Sequence, residues 1–324
     1  MALMETTISQ SRLHGILPDI EIAALAPIIE EIEVLKHERN AVVLAHNYMT
    51  PDIYHGVADL AGDSLALARR ARETDADVIV MAGVYFMAEA AKIINPDKTV
   101  LIPDTTAGCS LADSITAADV RELKAQHPGV PVVTYINTSA AVKAESDICC
   151  TSGNAVQVVQ SLGVDQVIFL PDQYLGRWVA SQTDVKVILA HGTCIVHERF
   201  SGEELRDYRK QYADISIIAH PECPPDVLEE ADFVGSTSKM IAWVKDKKPA
   251  IVMMVTECSM SDNVAAELPE VKFIRPCNLC PFMKKITLTG IRDSLRHMQY
   301  VIEVAPDVAT RARRALDRMM AVRA

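Results

Sequence analysis

The stretch Phe273-Ile-Arg-Pro-Cys277-Asn-Leu-Cys280-Pro-Phe-Met283 runs from an apolar strand pattern into a turn that carries two cysteines. The same order occurs twice upstream. Residues 99–104 lead to Gly108-Cys109-Ser110, and residues 185–190 lead to Gly192-Thr193-Cys194. Cys109 and Cys194 are 85 residues apart, and Cys194 and Cys280 are 86 apart. Equal spacing of this kind reads as three copies of one supersecondary unit. Around a common axis the three thiols converge, and convergent thiolates bind a soft metal or an iron–sulfur cluster.

Three further features repeat in the same order. Each unit opens with a strand that ends in polar residues: Val42 to Tyr48, Val132 to Asn137, and Ile215 to Glu222. A hydroxyl-bearing turn follows, at Gly62-Asp-Ser64, Thr151-Ser152-Gly-Asn154 and Gly235-Ser-Thr237-Ser238. A second apolar strand comes next, ending at Tyr85-Phe86, Asp172-Gln173 and Thr256-Glu257. Short β-rich runs alternating with helical patterns indicate βαβ units and parallel sheets. The expected fold is three homologous α/β domains with pseudo-threefold symmetry, over residues 1–128, 129–211 and 212–324. Ligands of such sheets gather beyond the carboxyl ends of the strands, where the repeated polar groups fall.

Outside the repeats, Leu25, Ile28, Ile29, Ile32 and Leu35 mark one helix face, with Pro27 expected in the first turn. Residues 1–18 are polar and read as frayed. Two C-terminal helices, 284–297 and 306–322, are expected to cover the first unit, with a solvated basic face.

The chain has 324 residues, 49% hydrophobic and 23% charged, and a net charge of −11. That balance describes a soluble globular protein and argues against a nucleic-acid surface. The longest apolar runs, such as Ala250 to Val255, are too short to span a bilayer. No basic segment followed by an apolar core opens the chain, so no signal peptide is expected and the cytoplasm is the expected compartment. There, eight cysteines are read as ligands, catalytic groups or buried thiols rather than disulfides. Cys149, Cys150, Cys223 and Cys258 have no counterparts in the other units and are read as structural.

Each candidate has an ordinary role to set against a functional one. Single cysteines are among the most buried residues; the spacing makes Cys109, Cys194 and Cys280 ligands instead. Ser64, Ser152 and Thr237 precede helices and could simply cap them, yet a hydroxyl at a helix N-terminus also suits phosphate or carboxylate. His46, His197 and His220 lie near strand ends inside the repeated segments, where imidazole and Glu222 can exchange protons.

These residues resemble the quinolinate synthase family. The matching segments are Ala45-His-Asn-Tyr48, Gly62-Asp-Ser-Leu65, Gly83 to Glu89, Ala107 to Asp113, Tyr135-Ile-Asn137, Thr151 to Asn154, Cys194-Ile-Val-His197, His220 to Cys223, Gly235 to Ser238 and Cys280 to Met283. Met49 stands where the commonest family form has Gln. The resemblance implies a [4Fe-4S] cluster on Cys109, Cys194 and Cys280. It also implies condensation of iminoaspartate with dihydroxyacetone phosphate to quinolinate, phosphate and water in NAD biosynthesis. L-aspartate oxidase or aspartate dehydrogenase would supply the iminoaspartate. Proton transfer is assigned to Tyr48, His220 and Glu222. The resemblance places His46, Tyr135, Asn137 and His197 in the same cavity, while Ser64, Ser152 and Thr237 provide an anion cradle. Cys277 is read as dispensable for the cluster, with a possible disulfide to Cys280 on oxidation. Two rivals stand beside this reading: a zinc–thiolate hydrolase or lyase, and an iron–sulfur sensor without catalytic activity.

Overall fold

A computed structural model describes residues 12–322; that part of the expected frayed start which covers residues 1–11 lies outside the described residues. Three parallel four-stranded sheets share one strand order. The first holds β1 (Ala41–His46), β2 (Leu60–Gly62), β3 (Val78–Ala82) and β4 (Thr99–Leu101) in the order β2-β1-β3-β4. The second holds β5 (Val132–Tyr135), β6 (Ile148–Cys150), β7 (Gln166–Leu170) and β8 (Lys186–Leu189) in the order β6-β5-β7-β8. The third holds β9 (Ile215–Ala219), β10 (Phe233–Val234), β11 (Ile251–Val255) and β12 (Lys272–Ile274) in the order β10-β9-β11-β12. Three strands of each sheet are legible as apolar runs. The edge strands β2, β6 and β10 are two or three residues long and lead directly into the segments read from sequence as hydroxyl turns.

The apolar runs become strands because β-branched and aliphatic side chains pack well on a sheet covered by helices. In the third sheet Ile215, Ile217 and Ala219 alternate onto one face, where Phe200, Leu205, Val227, Met253 and Val255 complete a buried cluster. Each such large side chain contributes about 1.5–3 kcal/mol on burial.

A polar staple repeats three times and was not read from sequence. Asp59, Asp147 and Asp232 each precede an edge strand. Their carboxylates accept the N–H of Val43, Val132 and Ile217 at 2.7, 2.8 and 2.7 Å. A cation 23 residues upstream meets each one: Lys36 at 2.7 Å, Lys124 at 3.7 Å and Arg209 at 3.0 Å. The same cation donates to the carbonyl two residues before the aspartate, at Val57, Glu145 and Glu230. The staple joins the helix before each sheet to the crossover between its first two strands. Exposed ion pairs add little, so the buried N–H carries most of the effect. Asp232→Ala leaves the N–H of fully buried Ile217 unpaired. We expect it to lower stability by about 1.5–3 kcal/mol in urea unfolding, with Asp232→Asn retaining part of the loss; an unchanged midpoint would reduce the staple to a surface contact.

In each sheet the chain lays its second strand on one side of the first and its third on the other. The carboxyl ends of β1/β3, β5/β7 and β9/β11 are therefore topological switch points, the usual position of a ligand.

The described residues form two compact units. One contains residues 12–108 with Cys258–Pro269 and Leu279–Glu303; the other contains Cys109–Glu257, Glu270–Asn278 and residues 304–322. The first sheet lies in the first unit, the second and third sheets in the other. Helix Cys258–Glu267, which follows β11, thus belongs with the first sheet rather than the third. Of the two C-terminal helices expected to cover the first repeat, Leu288–His297 packs on helix Asp19–Glu38. The last helix, Pro306–Ala321, departs from that expectation. It packs on helix Ala140–Glu145 and β6 of the second repeat, where Arg311 meets Glu145 at 3.0 Å and Arg318 donates to the Asp147 carbonyl at 2.7 Å.

Helix Asp19–Glu38 also starts earlier than expected, directly after Pro18, so Pro27 lies inside it. An interior proline forfeits a helical hydrogen bond. The buried face of Ile22, Ile29, Ile32 and Leu35 offsets that loss. No helix among the described residues is long and apolar enough to cross a membrane.

Candidate active site

Five of the expected site residues meet in the unit that holds the second and third sheets. Tyr135 ends β5, and its hydroxyl donates to Glu222 Oε1 at 2.5 Å. Glu222 Oε2 lies 2.7 Å from His197 Nδ1. His220 stacks on His197 with ring centroids 4.7 Å apart, and its Nε2 is 3.1 Å from Ser152 Oγ. All five side chains are buried. β5 and β9 place Tyr135 and His220 at neighbouring sheet ends, and the Pro221 turn carries Glu222 back so that its N–H approaches His220 Nδ1 at 3.4 Å.

Two residues join this cluster that were read only as strand ends. Thr256, directly after β11, has Oγ1 2.9 Å from His197 Nε2. With the ring proton on Nδ1, Nε2 accepts the threonine hydroxyl; with it on Nε2, the imidazole donates to Thr256 Oγ1. Asp172, after β7, is fully buried; its Oδ1 accepts the N–H groups of Tyr174 and Leu175 at 2.8 Å, and Oδ2 has no hydrogen-bond partner among the described residues. The available signal was positional: both are the first polar residues past the second central strand of their repeat, at the switch point.

The electrostatics separate the two carboxyls. Burial opposes the charge of Glu222, but His220, His197 and the Tyr135 hydroxyl outweigh it and hold the carboxyl well below the usual carboxylate range. Burial, reinforced by the Glu222 charge, pushes Asp172 well above its ordinary value. Carboxyls driven in opposite directions within one pocket can hold a base and an acid at the same pH.

The thiol segments approach the same cluster. Cys109 and Cys194 are both half-buried thiols. Ser110 ties their loops together: its hydroxyl donates to the Thr193 carbonyl at 3.0 Å and accepts the Ile195 N–H at 3.2 Å. Donor atoms of Cys194, His197 and Glu222 lie within 4.8 Å of one another. Burial raises the Cys194 thiol well above its ordinary value, and Glu222 and Cys109 push it further. A thiolate in such a place is stable only beside a cation, which a thiolate-ligated metal centre supplies. The donor set therefore fits a soft metal or a cluster.

The remaining expected residues lie elsewhere. Asn137 is half-buried two residues past Tyr135, outside the hydrogen-bonded cluster. Thr237 is buried at the start of helix Thr237–Lys247. Ser236, not Thr237, caps that helix, and Asp63, not Ser64, caps helix Ser64–Glu73. Ser152 serves His220 instead of capping. Lys239 Nζ donates to the Gly153 carbonyl at 2.9 Å, so the second and third hydroxyl turns adjoin.

His46, Tyr48, Ser64 and Cys280 belong to the first unit. There His46 Nδ1 accepts the Tyr48 N–H at 3.2 Å, and the two rings meet edge to face at 4.6 Å. Cys280 is a half-buried thiol. Cys258 and Cys277 are disulfide-bonded, which corrects two expectations. Not all cysteines are thiols, and Cys277 does not pair with Cys280, because its sulfur is already engaged. Cys149, Cys150 and Cys223 are buried, and burial pushes the Cys149 thiol up to about 12.

The quinolinate synthetase A protein family matches residues 30–321. The chain belongs to that family. It is 60% identical over 311 residues to quinolinate synthase 2 of Mesorhizobium japonicum, covering 96% of each chain. It is 57% identical to quinolinate synthase of Agrobacterium fabrum, over 96% of this chain and 90% of that one. Identity to quinolinate synthase of Caulobacter vibrioides is 56%, over 95% and 84%. The family is one of enzymes, and its curated members named here all carry the same activity in their names.

Proposed function

We propose that this chain is a cytoplasmic quinolinate synthase that condenses iminoaspartate with dihydroxyacetone phosphate and releases phosphate and water. The reading is carried by the buried Tyr135–Glu222–His197–Thr256 chain beside the Cys194 thiol. Cys109, Cys194 and Cys280 would hold a [4Fe-4S] cluster, which when bound supplies a Lewis acid for a departing hydroxyl.

The protein's own groups account for the proton traffic. A carbon–hydrogen bond must lose its proton before the new carbon–carbon bond forms, and a hydroxyl must gain one before it leaves as water. Glu222 remains ionised through the neutral range and is the base; the Tyr135 hydroxyl and the His197 imidazole, both against its oxygens, carry the proton onward. His220 is oriented by Ser152 and by its stacking on His197. Tyr48 is a further proton donor. By the family resemblance, Ser64, Ser152 and Thr237 would offer hydroxyls to the anionic groups of the substrates, and His46 and Asn137 would help to bind them. Burial of the cluster excludes water, which strengthens each of these contacts.

Thr256 acts through His197. Thr256→Val keeps the volume and removes the hydroxyl. We expect kcat to fall by up to about tenfold, the upper worth of one neutral hydrogen bond, with iron content unchanged. An unaltered kcat would remove Thr256 from the proton chain.

The deciding experiment is anaerobic purification, followed by iron and sulfide analysis, a visible spectrum and an assay for quinolinate from the two substrates. Brown protein that forms quinolinate is the expected result. Colourless protein holding zinc and no sulfide would return the reading to a zinc–thiolate enzyme. A cluster without quinolinate formation would return it to a sensor.

A further inference from the structure

Three consecutive carbonyls after β1 are caught by side chains from segments more than 200 residues away in sequence. Asn263 Nδ2 donates to Asn47 O at 3.3 Å and to Met49 O at 2.9 Å. Lys284 Nζ donates to the carbonyl between them, Tyr48 O, at 2.8 Å, and to Ser259 Oγ at 2.7 Å. The Lys284 N–H in turn donates to Cys280 O at 3.1 Å. Asn47, Tyr48, Met49, Ser259 and Asn263 are all buried, and all these residues lie within the first unit.

The amide side of the same turn is also fixed. The N–H groups of Asn47, Tyr48 and Met49 go to Gly62 O, His46 Nδ1 and His46 O at 3.1, 3.2 and 3.0 Å. Both faces of the peptide planes on either side of Tyr48 are thereby set, which fixes the direction of its Cα–Cβ bond. Simple satisfaction of turn carbonyls would need only short polar groups such as Asn263. A lysine that reaches Tyr48 O from one turn after Cys280 does more, because one side chain then links two segments.

We propose that Lys284 is a positioning residue that couples the Cys280 turn to Tyr48. The placement of the tyrosine ring then depends on how the Cys280 segment is held. The inference rests on the reading in which Tyr48 faces substrate, and it adds Lys284, Asn263 and Ser259 to the working parts of the enzyme.

The test is a double-mutant cycle on anaerobically purified full-length protein. Lys284→Met should keep its iron and sulfide and lose about tenfold or more in kcat, with KM altered less; Lys284→Arg should recover much of the loss. In a Tyr48→Phe background the same Lys284→Met change should cost little more. Equal fold-losses in both backgrounds would overturn the coupling, as would an unchanged kcat in Lys284→Met. Ser259→Ala, which frees Lys284 without removing a charge, guards against misfolding of the first variant. It should lower kcat in the same direction and lose that effect when Tyr48 is Phe; additivity here would equally overturn the proposal. Amide exchange at residues 47–50 gives a readout independent of turnover. Faster exchange in Lys284→Met is expected even if the wild-type protein makes no quinolinate, and unchanged exchange would refute the clamp.

Discussion

Glu222→Gln is expected to lower the rate of quinolinate formation by about 10²–10⁴-fold, the usual contribution of a positioned general base. The amide keeps the shape of the carboxylate and can still accept from Tyr135, so the fold and the iron content should persist. What it loses is the charge facing two stacked imidazoles and the capacity to take a proton. The same charge has a signature in stability. The folded-state carboxyl of Glu222 lies below the ordinary value of about 4.3, so its contribution is present above that pH and is lost as pH falls through the depressed folded value. The stability advantage of wild type over Glu222→Gln should therefore hold at neutral pH and shrink in acid. Parallel urea titrations across that range check it. Near-normal turnover in the variant would exclude Glu222 as the base.

Much of this arrangement is written in the chain at the level of spacing. The intervals between Cys109, Cys194 and Cys280 indicate a triplicated α/β unit because each thiol follows the same strand of the same sheet order. Tyr135, Ser152, His197, His220 and Glu222 were legible for a related reason: polar residues at the ends of apolar strands have few places to go except the switch point. The staple of Asp59, Asp147 and Asp232 was equally periodic but hidden, because an aspartate before a short strand looks like any turn residue. Its partners, an N–H on the neighbouring strand and a cation on the preceding helix, exist only after folding. The caps at Asp63 and Ser236 were misplaced by one residue, since adjacent polar residues at a helix start are equivalent in sequence. Helix Cys258–Glu267 lies between β11 and β12 in sequence yet clamps the turn after β1, a choice made by Asn263 and Ser259 in tertiary packing. Thr256 gave no signal apart from its position.

Cys280→Ala is expected to abolish both the cluster and activity, whereas Cys277→Ala should keep the cluster and much of the activity. Two independent arguments select Cys280. It lies 86 residues past Cys194, in step with the 85 between Cys194 and Cys109, while Cys277, at 83, falls two short of that period. The structure adds that Cys277 is disulfide-bonded and Cys280 is a half-buried thiol, so only Cys280 has a sulfur available as a ligand. A fourth thiolate would in any case fill the coordination position that dehydration chemistry requires to be open. With the Cys280 thiol removed, Cys109 and Cys194 would supply only two thiolate ligands, too few for a cubane cluster, and the Cys194 thiolate would lose the positive charge its surroundings require. Both variants should be made anaerobically and compared by iron and sulfide content, visible spectrum and quinolinate formation. A colourless Cys277→Ala alongside a brown, active Cys280→Ala would reverse the ligand assignment and, with it, the register of the third repeat.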